Sequence, residues 1–330
     1  MPAAFSFLKD LHVQRILQPG EIEALDRIDF PRIRLPQPAA LFAERAARWR
    51  QLAADGHPIA DYLRFVALLA DAQALAAREV ETAPVDPALL ARAVTYAMPV
   101  LPAADHLDPA WLTALDEMLS VLANAPPSAG LPPALALLAQ ELQDTAPDML
   151  EAFALQVLHG MQEGTPPDTL LARTAQPLLV AALQVAYADR ASRLDARALP
   201  MVEPATVCPH CGLPPVASVL RIGGEAGGHR YLHCGLCATE WHLVRVKCSN
   251  CESTKGIRYQ SVEDAGEVVV AETCEHCYSY RKLVNQEKDP YAEPLADDLA
   301  SLTLDLLMGE TDYARASANP LLALAAEADE

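Results

Sequence analysis

A chain of 330 residues that is 52% hydrophobic is long enough for two domains with buried cores and too apolar to be disordered. Its formal charge of −19 opposes a protein that wraps nucleic acid, whose phosphates would repel it. No apolar run reaches the ~18–20 residues that cross a bilayer. The start, Met1-Pro2-Ala3-Ala4-Phe5, lacks the charged-then-apolar plan of a signal peptide. The expectation is a cytoplasmic protein without membrane or nucleic-acid partners, whose cysteines are thiols or thiolates and not disulfides.

Short helices are expected at Phe7–Ile16 and Glu21–Ile28, before a three-proline stretch from Phe30 to Pro38 that must be extended. Leu41–Ala54 then has helical spacing, with Phe42, Ala46 and Trp49 on one stripe. Ile59–Val80 follows, its stripe running Tyr62, Phe65, Val66, Leu69 and Ala72. The same grammar predicts helices over Pro87–Met98, Pro109–Leu122, Pro132–Asp144, Pro147–Gln162 and Pro167–Ala198, the last with a break or kink at Pro177. Most begin near a proline, where the missing N–H costs little, and the Ala- and Leu-rich composition favours helix throughout. Residues 1–200 thus read as an α-helical domain with no catalytic signature of its own.

At Pro200 the composition changes. Glycines and β-branched residues appear, and Val216–Ile222 and Val268–Ala271 read as strands. Beyond Pro290 the pattern returns to helix over Pro294–Leu307, with Leu295, Leu299, Leu302 and Leu306 at helical spacing and Asp297 and Asp298 in its first turn. The tail from Asn319 is expected to fray. Glu203 to Asp289 hold nine Lys/Arg against eleven Asp/Glu, and Ala292 to Glu330 hold one Arg against nine acids. The middle segment is therefore nearly neutral between acidic flanks, with no basic stripe.

All eight cysteines lie in that middle segment, in four Cys-x-x-Cys pairs: Cys208/Cys211, Cys234/Cys237, Cys248/Cys251 and Cys274/Cys277. The third pair follows the first by 40 residues and the fourth follows the second by the same distance, an internal repeat. Two sulfurs separated by two residues can face one ion from a tight turn, and a second such turn delivered by a hairpin completes a tetrahedron. The 22 residues within each unit allow two short strands. Gly223-Gly224 and Gly227-Gly228 suit a loop in the first unit, and Asp264-Ala265-Gly266 a turn in the second. Gly212 can take positive φ and fold the backbone around the metal. The expectation is two four-cysteine centres, Cys208, Cys211, Cys234 and Cys237 for one and Cys248, Cys251, Cys274 and Cys277 for the other. Zinc and iron both suit four thiolates, and spacing does not choose between them. A full shell leaves no position for hydrolytic chemistry, so no enzyme is expected, although an iron site could cycle electrons where a zinc site would be purely structural.

Thioredoxin-like redox pairs would need a βαβ frame, which is absent, and would leave the repeat unexplained. Cysteine-rich chaperone repeats of the DnaJ kind would carry glycines that these pairs lack. His210, His229, His233, His242 and His276 lie nearby, but eight thiolates already fill two sites, so they read as knuckle or surface residues.

The run from Arg230 through Cys234, Cys237, Trp241 and His242 to Arg245 and Cys248 resembles the formate dehydrogenase accessory protein family FdhE. So do Cys208-Pro209-x-Cys211-Gly212-x-Pro214, the closing Ala296-Asp297-Asp298-Leu299-Ala300-Ser301-Leu302 with Leu304-Asp305, and Leu35-Pro36, Phe42, Arg45-Ala46 and His57-Pro58 with Tyr62-Leu63. The resemblance implies a cytoplasmic maturation factor that binds the catalytic subunit of formate dehydrogenase before its export. It also implies self-association and two metal ions at the eight cysteines, iron rather than zinc, held in a rubredoxin-like manner. Arg230, Tyr231, Trp241, Arg245, Asp297 and Asp298 are the candidates for a partner surface or a layer supporting the metals, since Arg, Trp and Tyr favour interfaces. The bland alternative packs Trp241 between ribbon and helical domain and pairs Arg245 with Asp297 or Asp298.

The architecture expected is α plus small β: residues 1–200 helical, 201–245 and 246–290 tandem rubredoxin-like or zinc-ribbon units, and 291–330 a C-terminal helix that packs back. Two other function classes fit four-cysteine ribbons, a zinc-ribbon binder of nucleic acid or transcription machinery and an electron-transfer rubredoxin-like protein.

Overall fold

The computed structural model describes residues 30–54, 56–125, 133–262 and 266–322. The helices expected at Phe7–Ile16 and Glu21–Ile28, and Asp264 and Ala265 of the expected turn, lie outside those residues. The described residues from Pro31 onward form one compact unit, to which all the elements named below belong.

Helices α1 (Pro38–Leu52), α2 (Ala60–Glu79), α3 (Pro87–Tyr96), α4 (Ala110–Ala123), α5 (Pro133–Asp144), α6 (Pro147–Glu163) and α7 (Leu170–Ser192) build the N-terminal part. Prolines open α1, α3 and α6, where a missing N–H leaves nothing unsatisfied. The Phe42, Ala46 and Trp49 stripe of α1 is fully buried, as the spacing predicts. Helix α7 is shorter than expected at both ends and begins after Thr169, whose hydroxyl accepts from Ala172 N–H at 3.2 Å. It runs continuously through Pro177, so the expected break does not occur. Residues 177–189 are buried without interruption, so packing on every side holds the helix across the absent hydrogen bond.

Among the described residues, eight strands share one sheet. They are β1 (Ile33–Arg34), β2 (Pro215–Leu220), β3 (Arg230–Cys234), β4 (Glu240–His242), β5 (Ile257–Gln260), β6 (Val269–Cys274), β7 (Ser279–Asn285) and β8 (Ala314–Arg315). The order is β1-β4-β3-β2-β7-β6-β5, with β8 also on β7. Each cysteine unit contributes antiparallel strands, and the two units join through the parallel β2–β7 pair, Ser218 opposite Leu283. The proline-rich segment supplies β1, which pairs Ile33 with Trp241 and stitches the helical part to the first ribbon.

The expected C-terminal helix is two, α8 (Pro294–Ala300) and α9 (Leu302–Met308). Ser301 divides them, its hydroxyl donating to the carbonyls of Asp297 at 2.7 Å and Asp298 at 3.1 Å. The break turns Leu306 outward, 74% exposed, although spacing places it on the buried stripe. Residues 319–322 are not frayed: Asn319 and Leu321 are buried, and Asn319 Nδ2 donates to Leu295 O at 3.0 Å and to Asp298 at 2.8 Å. Among the described residues no helix is long and apolar enough to cross a membrane.

Candidate metal centres

The four Cys-x-x-Cys turns share one backbone design. The N–H of Gly212, Ala238, Glu252 and Tyr278 donates to the carbonyl of Cys208, Cys234, Cys248 and Cys274, at 2.9, 3.2, 3.1 and 2.9 Å. All four donors have positive φ, between 51° and 76°. Only Gly212 announces this turn in the sequence; at the other three the tertiary structure holds an L residue in the left-handed region. Gly212 has a second reason to be glycine, because an added Cβ would come within 3.3 Å of the Pro99 side chain.

These turns bring the sulfurs together in two groups of four, Cys208, Cys211, Cys234 and Cys237, and Cys248, Cys251, Cys274 and Cys277, each group within 4.8 Å. In the first, Cys208 and Cys237 Sγ lie 3.5 Å apart and Cys211 and Cys234 Sγ 3.4 Å. In the second, the Cys248–Cys277 and Cys251–Cys274 distances are both 3.8 Å. A tetrahedron of metal–sulfur bonds of about 2.3 Å has edges of about 3.8 Å, so each group could hold one metal ion.

The surroundings of the two groups differ. All four cysteines of the first group are buried within the main hydrophobic core. The segment after α3 clasps its first turn, with the N–H groups of Val100, Leu101 and Ala103 donating to Pro209, His210 and Cys211 carbonyls at 3.1, 2.8 and 3.0 Å. Gln184 on α7 donates to Gly235 O in the second turn at 2.7 Å and accepts from Gln73 at 2.9 Å. His210 is fully buried beside the group, and its ring helps to favour the Cys237 thiolate. Burial pushes the Cys208 and Cys211 thiols well above their usual value, because an apolar core penalises the thiolate. A bound cation would remove that penalty and displace the protons.

The second group is open on one side. Cys251 and Cys277 are only partly buried, and Asn250, Glu275, His276 and Tyr278 beside them are exposed. Polar groups gather at its sulfurs: Ser279 Oγ lies 3.0 Å from Cys277, Asn250 Nδ2 donates to it at 3.8 Å, and Asn250 N–H donates to Cys248 at 3.4 Å. Burial opposes ionisation of Cys277, but contacts with Ser279, Cys251 and Asn250 bring its thiol down to about 6. Burial pushes Cys248 the other way, up to about 12. Ser279 stands where Thr239 stands in the first unit, 3.2 Å from Cys237, and the 40-residue repeat could have found both.

The candidates for a partner surface are mostly internal. Arg230, Tyr231, Trp241, Asp297 and Asp298 are buried, and only Arg245 is exposed. Arg230 joins the two ribbons: it donates to Glu272 at 2.6 Å, to Ser218 at 3.0 Å and to Lys247 O at 2.8 Å. Tyr231 holds Pro31 O at 2.7 Å, and Trp241 holds Ala205 O at 2.9 Å from within the main core. Arg245 pairs with neither Asp297 nor Asp298; it donates to Gly228 O at 2.6 Å and lies 3.7 Å from Glu287. Asp297 instead meets Arg48 of α1 at 2.8 Å, and Asp298 meets Arg315 of β8 at 2.6 Å. These two carboxylates therefore fasten the C-terminal helix to the body. Two buried Asp in a row before an apolar stripe look like a solvated helix start in sequence, and their basic partners lie too far along the chain to be read from spacing.

Three family models cover the chain in succession: FdhE, N-terminal, over residues 30–203; FdhE, central domain, over 207–245; and FdhE, C-terminal domain, over 246–322. The protein FdhE homolog of Pseudomonas aeruginosa is 43% identical over 316 residues, covering 93% of this chain and 97% of the relative. Protein FdhE of Salmonella dublin is 39% identical over 298 residues, 88% of this chain and 91% of the relative. The crystal structure of the FdhE protein from Pseudomonas aeruginosa superposes with a TM-score of 0.75 at 39% identity, covering 89% of this chain and 99% of that one.

Proposed function

Since the chain belongs to the FdhE family, we propose that it is an accessory protein in the maturation of formate dehydrogenase, which binds the catalytic subunit in the cytoplasm and is not itself an enzyme. The observation that carries this reading is the pair of four-thiol groups, each with its sulfurs within 4.8 Å of one another, set in a chain that matches FdhE from residue 30 to 322. Cys208, Cys211, Cys234 and Cys237 would hold one ion, and Cys248, Cys251, Cys274 and Cys277 the other, with iron as the metal proposed. A bound ion would supply a cross-link between two turns and, as iron, a site for one electron. A shell of four thiolates leaves no position for a substrate, which supports a role without catalysis. Self-association of the chain belongs to the same reading.

The cations of the ribbon region argue against a nucleic-acid binder. Arg230 pairs with Glu272, Arg221 with Glu240, Lys282 with Asp305, Lys247 with Glu252, Arg258 with Glu275 and Lys288 with Glu267. Little positive charge is left over to meet phosphates. The test uses the full chain, purified without air, as bait for the formate dehydrogenase catalytic subunit. Capture above an unrelated control and two iron ions per chain are expected. Failure to capture the subunit counts against the accessory role, and a zinc-only protein against the choice of iron.

A further inference from the structure

We infer that the two metal centres have divided roles: the Cys248, Cys251, Cys274, Cys277 centre is exchangeable, and the Cys208, Cys211, Cys234, Cys237 centre is a fixed part of the fold. The division rests on the reading above that both groups hold an ion.

Release of an ion from a closed thiolate shell needs an incoming ligand or proton to reach a sulfur. At the first centre every cysteine is at most 1% exposed. Its turns are held by three backbone hydrogen bonds from residues 100–103 and one from Gln184, itself buried in the helical core. To uncover those sulfurs the helical part must open, which is close to unfolding it. At the second centre the Cys251 and Cys277 residues reach the surface without any such movement. Residues around that edge, Asn250, Glu275, His276 and Tyr278, belong to the turns themselves and are exposed. Among the described residues, the ring of Tyr313 lies 6.2 Å from that of Tyr278 at this edge and leaves it exposed. The strands that carry these turns stay anchored elsewhere, through β2–β7 pairing and the buried Arg230–Glu272 pair. The second centre can therefore lose or trade its ion while the sheet persists. Any acceptor, protein or small chelator, must come across the Cys251–Cys277 edge.

The test uses the full chain loaded with two zinc ions and a chromophoric zinc chelator in excess. Iodoacetamide labelling is mapped by mass spectrometry through the time course, and the far-ultraviolet helical signal is followed alongside. One equivalent of zinc should leave at least about tenfold faster than the other, as expected when one path needs only local opening. During that fast phase label should enter the second cysteine group alone, with the helical signal unchanged. Cys251→Ser should remove the fast equivalent and keep the slow one, and Gln184→Leu should speed only the slow one. Release of both equivalents at one rate overturns the division, as does early labelling of Cys208, Cys211, Cys234 or Cys237. A chain that binds fewer than two ions at the outset overturns the two-centre reading and the division with it.

Discussion

The two cysteine units are nearly the same object in sequence and in backbone, and different objects in their surroundings. Both use paired Cys-x-x-Cys turns with a left-handed residue after the second cysteine, and both close four sulfurs into one group. The first is embedded in the core built by α2, α4 and α7, whereas the second stands on the far side of the parallel β2–β7 junction with one edge in solvent. A local motif thus determines what can be bound, and burial determines how much of the fold depends on it. The seam between the two units is itself charged: Arg230, Glu272 and Arg281 are all buried there, and burial together with repulsion from Arg230 lowers Arg281 to about 10.

The largest effect is expected at the first centre. Cys211→Ser removes a ligand from inside the core and should cost more than about 4 kcal/mol or abolish cooperative unfolding. Calorimetry on metal-loaded protein would check this, and a shift of only a few degrees would break the contrast. At the seam, Arg230→Met removes the cation hydrogen-bonded to Glu272, which keeps only Arg281 opposite it, and should cost about 3–5 kcal/mol by denaturant titration. Adding Glu272→Met should deepen the loss, since it leaves Arg281 buried without the carboxylate opposite it.

A smaller loss, about 1–3 kcal/mol, is expected for Gln184→Leu, which strips a buried carbonyl of its donor. Cys251→Ser should lower the metal content by one ion while changing global stability by no more than about 1 kcal/mol. Equal destabilisation by Cys251→Ser and Cys211→Ser would erase the distinction between the centres.

The smallest effect concerns pH. Burial, then His229, Arg32 and Arg230, hold His242 down at about 4 from an ordinary 6.5. A histidine depressed in the folded state lets the unfolded chain take up its proton first, so its contribution is intact above 6.5 and is lost as pH falls towards 4. The melting temperature of His242→Gln relative to wild type should therefore rise between pH 7.5 and pH 5. Comparing the two proteins cancels the loss of metal that acid causes in both. A constant difference across that range would show that the histidine does not titrate as its surroundings require.

Most helices were legible because a 3.6-residue apolar stripe is a direct consequence of one face meeting a core; Phe42, Ala46 and Trp49 are the clearest case. Leu306 fails for the same reason that they succeed: periodicity assumes an unbroken helix, and Ser301 ends it. The two four-cysteine groups were legible because paired Cys-x-x-Cys turns need a fixed local spacing. The roles of Arg230, Tyr231, Asp297 and Asp298 were not, because a charged or aromatic side chain looks the same in sequence whether it faces water or a partner 17 to 249 positions away.

Sequence alone determined the eight sulfurs, their grouping into two repeats, the helical body and the change of structure at residue 200, since all of these follow from short-range chemistry and periodicity. Tertiary structure decided that the two ribbons share one sheet, that α7 passes through Pro177, and that one centre lies in the core while the other meets solvent. Those outcomes depend on which distant surfaces pack together, and the free energy of that packing is not written in any local stretch of chain.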